Sequence, residues 1–152
     1  MNVAVVGGHN CSPKTYEIAR ELGGLIAKER WVLVCGGGPG VMEAVCRGAK
    51  EKDGLTVGIL PSYDGKEANG YLDVKLTTGI GYARNTLVVR AADVVIALEG
   101  NHGTLSEIAF ALCEDKIIYS LGSWDLKGTV KVKSPKEAIE KIKKQIEIKK
   151  HA

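Results

Sequence analysis

The sequence predicts a single α/β domain of Rossmann type, with a doubly wound parallel sheet and helices on both of its faces. Short β-branched runs alternate with amphipathic stretches along the chain, as in successive β-α-β units. Glycine clusters stand where several of these runs end, at the points where a strand turns into a helix. The 152 residues show no repeat, linker or change of composition, so we expect residues 1–152 to form one domain.

The first half of the chain predicts strands and helices in alternation. Short runs rich in Val, Ile and Leu predict strands at Asn2–Gly7, Trp31–Cys35, Leu55–Leu60 and Leu72–Thr77. Apolar residues every three or four positions predict helices at Pro13–Glu29 and Val41–Lys50. Ser12 followed by a proline is a typical helix start, and Gly23-Gly24 allows close packing of that helix. The polar stretch Ser62–Gly70 is expected to form an exposed excursion.

The second half continues the alternation. The pattern predicts a helix over Tyr82–Ala92, a strand at Asp93–Leu98, a helix over Thr104–Glu114 and a strand at Lys116–Leu121. Ser134 and the proline after it predict the start of a Lys/Glu-rich terminal helix at about 134–148. Parallel strands joined through helices form right-handed crossovers, and we expect a doubly wound sheet with helices on both faces.

Charge and cysteine usage exclude several classes of protein. The net charge is +3, and the lysines between positions 127 and 150 supply more than this excess without the aromatic neighbours typical of nucleic-acid binding. No apolar run approaches the roughly 18 residues of a membrane span, and the initial strand leaves no room for a secretion signal. Cys11, Cys35, Cys46 and Cys113 lack C-x-x-C spacing, which favours reduced thiols. We expect a cytoplasmic protein without a structural metal or a required cofactor.

The glycine-rich loops are the strongest functional signal. Ligands of an open α/β sheet bind beyond the carboxyl ends of its strands, and helix N-termini there favour anions, above all phosphate. The glycines expected to contact such a ligand are Gly8, Gly36, Gly37, Gly38, Gly40, Gly81, Gly100 and Gly103. The dinucleotide fingerprint G-x-G-x-x-G fails because Val41 stands at its last position, and no Walker A loop occurs. Ordinary NAD and ATP enzymes are therefore disfavoured.

Three blocks of this sequence, Cys35–Val45, Gly79–Asn85 and Gly100–Glu107, resemble a known superfamily. It contains the LONELY GUY cytokinin-activating phosphoribohydrolases, proteins mislabelled lysine decarboxylases, and the molybdenum cofactor carrier protein. Order and spacing agree over roughly Val3 to Leu121. The block G-Y-A-R-N is more similar to the carrier branch than to the hormone-activating branch, which has M-H-x-R-K.

The resemblance implies roles for particular residues. Arg84 would hold the substrate and Glu107 would act on the bond between ribose and base, where a carboxylate can stabilise the developing sugar cation. Gly103 and Thr104 would bind the 5′-phosphate, and Asn85 belongs to the same ligand site. The chain departs from the enzyme signature P-G-G-x-G-T-x-x-E and its neighbouring block. Glu99 replaces proline, Asn101 replaces glycine, Ser106 replaces a common glutamate, and Asn85 replaces lysine.

Three functions stay open on these observations. The first is a binder of a phosphorylated, nucleotide-like ligand, either a nucleoside monophosphate or the molybdenum cofactor. The second is a nucleoside 5′-monophosphate phosphoribohydrolase that uses Arg84 and Glu107. The third is a scaffold domain without a ligand. The resemblance also implies a homodimer or homotetramer, while nucleic acid and membrane are not expected as partners.

Overall fold

The computed structural model describes residues 1–152 and contains one seven-stranded parallel sheet, which confirms the predicted fold class. The strands are β1 (Asn2–Val6), β2 (Val32–Cys35), β3 (Thr56–Leu60), β4 (Val74–Thr77), β5 (Val94–Ala97), β6 (Ile117–Ser120) and β7 (Val130–Lys131). Their order across the sheet is β4-β3-β2-β1-β5-β6-β7. The chain therefore reverses direction across the sheet between β1 and β5, and a reversal of this kind opens a crevice at the carboxyl edge.

Five helices cover both faces of the sheet. They are α1 (Pro13–Lys28), α2 (Val41–Lys50), α3 (Asn85–Arg90), α4 (His102–Cys113) and α5 (Pro135–Lys150). Alternate residues of the buried strands point to opposite faces, so that Val3 and Val5 pack under α1, α2 and α5 while Ala4 and Val6 pack under α3 and α4. No helix is long and apolar enough to cross a membrane.

The close packing of α1 against α2 depends on glycine, as the sequence predicts. A methyl group built on Gly23 would lie 1.9 Å from the carbonyl oxygen of Val45, and one on Gly48 would lie 1.8 Å from that of Arg20. The two helices thus approach backbone to backbone. This contact places the first turn of α2, which contains Met42, at the carboxyl edge of the sheet.

The structure corrects two of the predicted helices and adds one strand. The single helix expected over Tyr82–Ala92 is a 3-10 turn at Gly81–Arg84 followed by the short helix α3, and Gly81 has the positive φ of +61°. The helix expected from Thr104 begins at His102, since Asn101 serves as its N-cap. The two-residue strand β7 was not predicted, because its only partners are Tyr119 and Ser120 of β6 and its own residues are exposed.

Candidate ligand-binding site

A cavity of about 150 Å³ lies at the carboxyl edge where β1 and β5 are neighbours. It is enclosed by the loops that follow β1 and β5, the 3-10 turn before α3, and the first turns of α2 and α4. Its lining residues are Gly7, Gly8, His9, Asn10, Met42, Tyr82, Arg84, Asn85, Asn101, Gly103, Thr104 and Glu107. The cavity therefore lies in the crevice that the strand order predicts.

Arg84 brings a buried positive charge to this cavity. The residue is 4% exposed, its Nε donates to the carbonyl oxygen of Ile59 at 2.9 Å, and its Nη1 donates to Oδ1 of Asn85. Every carboxylate lies more than 4.0 Å from the guanidinium nitrogens, so Arg84 takes part in none of the ion pairs. A buried cation without a counter-charge is costly, and an anion in the cavity would offset that cost.

Glu107 lines the same cavity and makes no hydrogen bond to the protein. The residue is 6% exposed, and its burial raises the pKa of the carboxyl to about 8. Arg84 acts in the opposite direction and Cys35 adds to the rise, but desolvation dominates. At neutral pH the side chain is therefore mainly a neutral acid, which can offer a proton to the cavity.

The N-terminus of α4 presents free backbone donors. The N–H of Leu105 donates to the carbonyl oxygen of Asn101 at 3.0 Å, whereas the N–H groups of His102, Gly103 and Thr104 have no acceptor in the protein. Asn101 contributes no side-chain cap. The hydroxyl of the 3% exposed Thr104 is also without a partner. These donors, with the positive end of the helix dipole, form a site suited to an anion.

Asn85 connects the two helices that carry these groups. Its Oδ1 accepts the hydrogen bond from Arg84, and its Nδ2 donates to Oγ of Ser106 at 3.0 Å and to the carbonyl oxygen of Gly103 at 3.4 Å. The hydroxyl of Ser106 donates to the same carbonyl oxygen at 2.6 Å. The network fixes the start of α3 against the first turn of α4, and so sets Arg84 relative to the free N–H groups.

The predicted site residues divide into two groups. The structure brings Gly8, Arg84, Asn85, Gly103, Thr104 and Glu107 together around the cavity. It does not bring Gly36, Gly37, Gly38, Gly40, Gly81 or Gly100 to the cavity lining. A ligand contact of the second group stays a prediction.

Several of the non-lining glycines allow the loops at this edge to approach one another. A methyl group on Gly40, whose φ is +69°, would lie 2.4 Å from the carbonyl oxygen of Gly8. One on Gly100 would lie 2.0 Å from Oγ1 of Thr104, and one on Gly36 would lie 2.8 Å from Nη2 of Arg84. These glycines therefore allow the close contacts between loops that give the site its shape, whatever ligand it holds.

Glu99, the acidic residue in the loop after β5, is directed away from the cavity. Its Oε2 accepts a hydrogen bond of 2.8 Å from the hydroxyl of Thr15 on α1, and the residue is absent from the cavity lining. The replacement of the signature proline by a carboxylate therefore adds no negative charge where the free N–H groups converge.

Six lining residues are not among the predicted site residues. They are Gly7, His9, Asn10, Met42, Tyr82 and Asn101. Four of them directly follow the ends of β1 or β5, where the carboxyl-edge rule could have found them. Tyr82 could have been found because it stands inside the motif block Gly79–Asn85. Met42 could not, because its sequence pattern is that of an ordinary apolar residue of α2.

Comparisons with known proteins agree with the fold. The model of the SLOG cluster4 family matches residues 1–151. A molybdenum cofactor binding protein from the phototrophic bacterium Rippkaea orientalis has a similar structure, with a TM-score of 0.90, 40% identity, and coverage of 95% of this chain and 96% of that one. An uncharacterised protein of Archaeoglobus fulgidus is 45% identical over 121 residues, 80% of each chain. A cytokinin riboside 5′-monophosphate phosphoribohydrolase of Mycobacterium marinum is 32% identical over 121 residues, which are 74% of this chain and 65% of that enzyme.

Proposed function

The chain belongs to the SLOG cluster4 family, and from that premise we propose that its cavity binds a phosphorylated, nucleotide-like small molecule. One observation carries the proposal. The buried guanidinium of Arg84, which has no carboxylate partner, lines the same cavity as Gly103 and Thr104, whose backbone N–H groups are free. A phosphate group there would supply both the missing counter-charge and the missing acceptors.

The donor set suits a phosphate better than a carboxylate. The backbone N–H groups of Gly103 and Thr104, the hydroxyl of Thr104 and the guanidinium of Arg84 offer more donors than two carboxylate oxygens can accept. The neutral carboxyl of Glu107 adds a further donor instead of a repelling charge. The cavity thus matches an anion with three terminal oxygens.

The ligand class follows from the relatives as well as from the site. A molybdenum cofactor binding protein and a nucleoside monophosphate hydrolase are both similar to this chain. Both ligands carry a phosphate group and a fused nitrogen heterocycle. We propose a ligand of this kind, either a purine nucleoside monophosphate or the molybdenum cofactor as cargo.

Thermal unfolding with a panel of ligands tests the binding proposal. AMP, GMP, IMP, CMP and molybdenum cofactor are compared with adenosine, which lacks the phosphate. A true ligand at a hundredfold excess over its Kd should raise the Tm by about 5–10 °C, and Arg84→Gln should weaken binding at least tenfold. Arg90→Gln, which changes a 67% exposed arginine of α3, is the matched control and should bind normally. If adenosine binds as well as AMP, the site does not recognise the phosphate and the proposal is wrong. If no compound of the panel shifts the Tm, the scaffold alternative is favoured.

A second candidate function is hydrolysis of the bound nucleotide. The observation that favours it is the carboxyl of Glu107, which is buried, free of hydrogen bonds and open to the cavity beside Arg84. In such a reaction the bond between C1′ and the base nitrogen breaks, water supplies the hydroxyl to C1′, and the base leaves with a proton. A neutral Glu107 is suited to donate that proton, because its raised pKa keeps it protonated near pH 7.

Product analysis separates the enzyme from the binder. The protein is incubated with AMP, GMP, IMP and CMP, and free base and ribose 5-phosphate are measured. Release that Glu107→Gln abolishes, with nucleotide binding retained, would establish the hydrolase. Absence of release while the Tm still rises with the same nucleotides would leave binding alone.

The assembly and location of the chain stay predictions. The homodimer or homotetramer implied by the family is tested by analytical ultracentrifugation at micromolar concentration. The cytoplasmic location is tested by fractionation of the source cells.

A further inference from the structure

A second, more open cavity of about 430 Å³ adjoins the first. Its lining residues are Tyr82, Asn101, His102, Gly103 and Ser106, of which Tyr82, Asn101 and Gly103 also line the inner cavity. The two cavities therefore meet at the N-terminus of α4. A ligand whose phosphate lies against the free N–H groups would extend from the inner cavity into the outer one.

Volume makes such an extension necessary. Small-molecule sites usually enclose about 300–1,000 Å³, and the inner cavity of about 150 Å³ is too small to hold a whole nucleotide. The outer cavity supplies the missing space on the side away from the sheet. The part of the ligand furthest from the phosphate, its ring system, would then lie in the outer cavity.

Tyr82 offers an unoccupied aromatic face there. The residue is 76% exposed on the 3-10 turn before α3, and its hydroxyl makes no hydrogen bond. A methyl group built on Gly103 would lie 3.8 Å from Cε1 of Tyr82, so the ring passes beside the start of α4. An aromatic ring that is left in water next to a polar cavity is available for stacking on a flat ligand.

His102 provides a second ring, and a neighbouring aromatic side chain packs against it. It stacks on Trp124, with ring centroids 6.3 Å apart and ring planes inclined by 27°. The indole Nε1 of Trp124 donates to the carbonyl oxygen of Asn101 at 3.2 Å, which holds the indole against the loop. The imidazole of His102 is thereby oriented before any ligand arrives, which lowers the cost of ordering it on binding.

We propose that Tyr82 and His102 form a subsite for the flat, bicyclic heteroaromatic ring of the ligand, a purine or a pterin. The subsite rests on the proposed function, because it locates the ring relative to a phosphate bound by Arg84 and α4. Stacking rewards ring area, so bicyclic rings should bind more tightly than the monocyclic ring of CMP. Tyr82 and His102 thus determine specificity, while the inner cavity supplies the charge recognition.

The test compares a ligand that has the ring with one that lacks it. Isothermal titration measures the Kd of GMP and of ribose 5-phosphate for the wild type and for Tyr82→Ala, Tyr82→Phe and His102→Ala. Tyr82→Ala and His102→Ala should weaken GMP binding roughly 5- to 150-fold and change the Kd of ribose 5-phosphate less than twofold. Tyr82→Phe should keep GMP affinity. Phe110→Ala, which removes a 40% exposed aromatic ring further along α4, is the matched control.

The possible failures can be told apart. If Tyr82→Ala and His102→Ala leave the Kd of GMP unchanged while Arg84→Gln abolishes binding, the phosphate site stands and the ring subsite is wrong. If Tyr82→Ala weakens ribose 5-phosphate as much as GMP, Tyr82 acts on the phosphate site and the subsite is also wrong. If the wild type binds neither compound, and no phosphorylated compound of the thermal panel either, the proposed function itself is contradicted. The small structural cost of changing a 76% exposed residue keeps the Tyr82 variants informative.

Discussion

The side-chain amide of Asn85 donates a hydrogen bond of 3.0 Å to the hydroxyl of Ser106. These are the positions where the phosphoribohydrolases that this chain resembles carry lysine and glutamate. Two departures from the enzyme signature therefore contact each other, and they replace two residues of opposite charge by two neutral ones. Asn85 also accepts a hydrogen bond from Arg84, so the substituted pair is in direct contact with the guanidinium of the site.

A double-mutant cycle should detect this pairing. Asn85→Lys alone places a second cation beside Arg84 at a position that is 1% exposed, and we expect it to cost about 3–5 kcal/mol of unfolding free energy. Adding Ser106→Glu should recover at least about 1 kcal/mol of that loss through the restored ion pair. Urea denaturation of the wild type, both single variants and the double variant gives the coupling. Additive effects would show that the two positions do not substitute as a pair.

The stability of the protein should depend on pH through Glu107. Its pKa is raised to about 8 in the folded protein, whereas 4.5 is the ordinary value for the unfolded chain. Between those two values the folded state holds a proton that the unfolded state releases, so the free energy of unfolding falls as the pH rises and levels off above about pH 8. Relative to Glu107→Gln, the wild type should lose on the order of 4 kcal/mol across this window.

Urea denaturation of both proteins between pH 4 and pH 9 measures the difference. Glu140→Gln, which changes an exposed glutamate of α5, is the matched control and should follow the wild type. Parallel profiles for the wild type and Glu107→Gln would contradict a raised pKa.

Ligand affinity should respond to the same proton. An ionised Glu107 would repel a phosphate in the cavity, so the Kd of ribose 5-phosphate should increase as the pH rises through about 8. The second pKa of a phosphate monoester is about 6, so the charge of the ligand is constant over this range. Titration calorimetry from pH 7 to pH 9.5 should show the increase for the wild type and none for Glu107→Gln. A pH-independent wild-type Kd would place the phosphate away from Glu107.

Two adjacent glycines of α1 should respond to alanine in opposite directions. Gly23→Ala introduces a methyl group 1.9 Å from the carbonyl oxygen of Val45, which forces α1 and α2 apart and should cost about 2–3 kcal/mol. Gly24→Ala meets its nearest atoms at 3.5 Å, an ordinary contact, and should gain about 0.5–1 kcal/mol from helix propensity. Thermal and urea denaturation compare them. Equal effects would contradict the backbone contact at Gly23.

The fold was predictable because the pattern of apolar residues along a strand or helix indicates which of its faces are buried. The run Val3–Val6 of β1 is apolar at every position because the strand is covered on both faces, and this pattern distinguishes a buried strand of a parallel sheet from a strand with one face in water. Strand β7 escaped prediction because two exposed residues, Val130 and Lys131, carry no such pattern. Only their pairing with β6 makes them a strand.

The site was predictable in part. Arg84 and Glu107 were predicted from the motif blocks that carry the family resemblance, and both line the cavity. The glycine positions were weaker indicators of the cavity lining than these two charged residues. Gly103 lines the cavity and Gly40 does not, yet both positions favour the same residue type, since a close backbone approach and a ligand both exclude a side chain. Sequence alone cannot separate the two demands.

Glu99 should be neutral toward the ligand although it stands in the loop after β5. Its carboxylate accepts a hydrogen bond of 2.8 Å from Thr15 and is directed toward α1, so its charge is not presented to the phosphate. Glu99→Gln should therefore change the Kd of GMP less than twofold, while it lowers the free energy of unfolding by about 0.5–1 kcal/mol through a weaker hydrogen bond at an exposed position. Thr15→Val, which removes the donor and keeps the shape, should weaken GMP binding because it releases the carboxylate. Titration calorimetry measures the Kd of GMP for both variants. A tenfold gain in affinity for Glu99→Gln would show that this carboxylate faces the ligand after all.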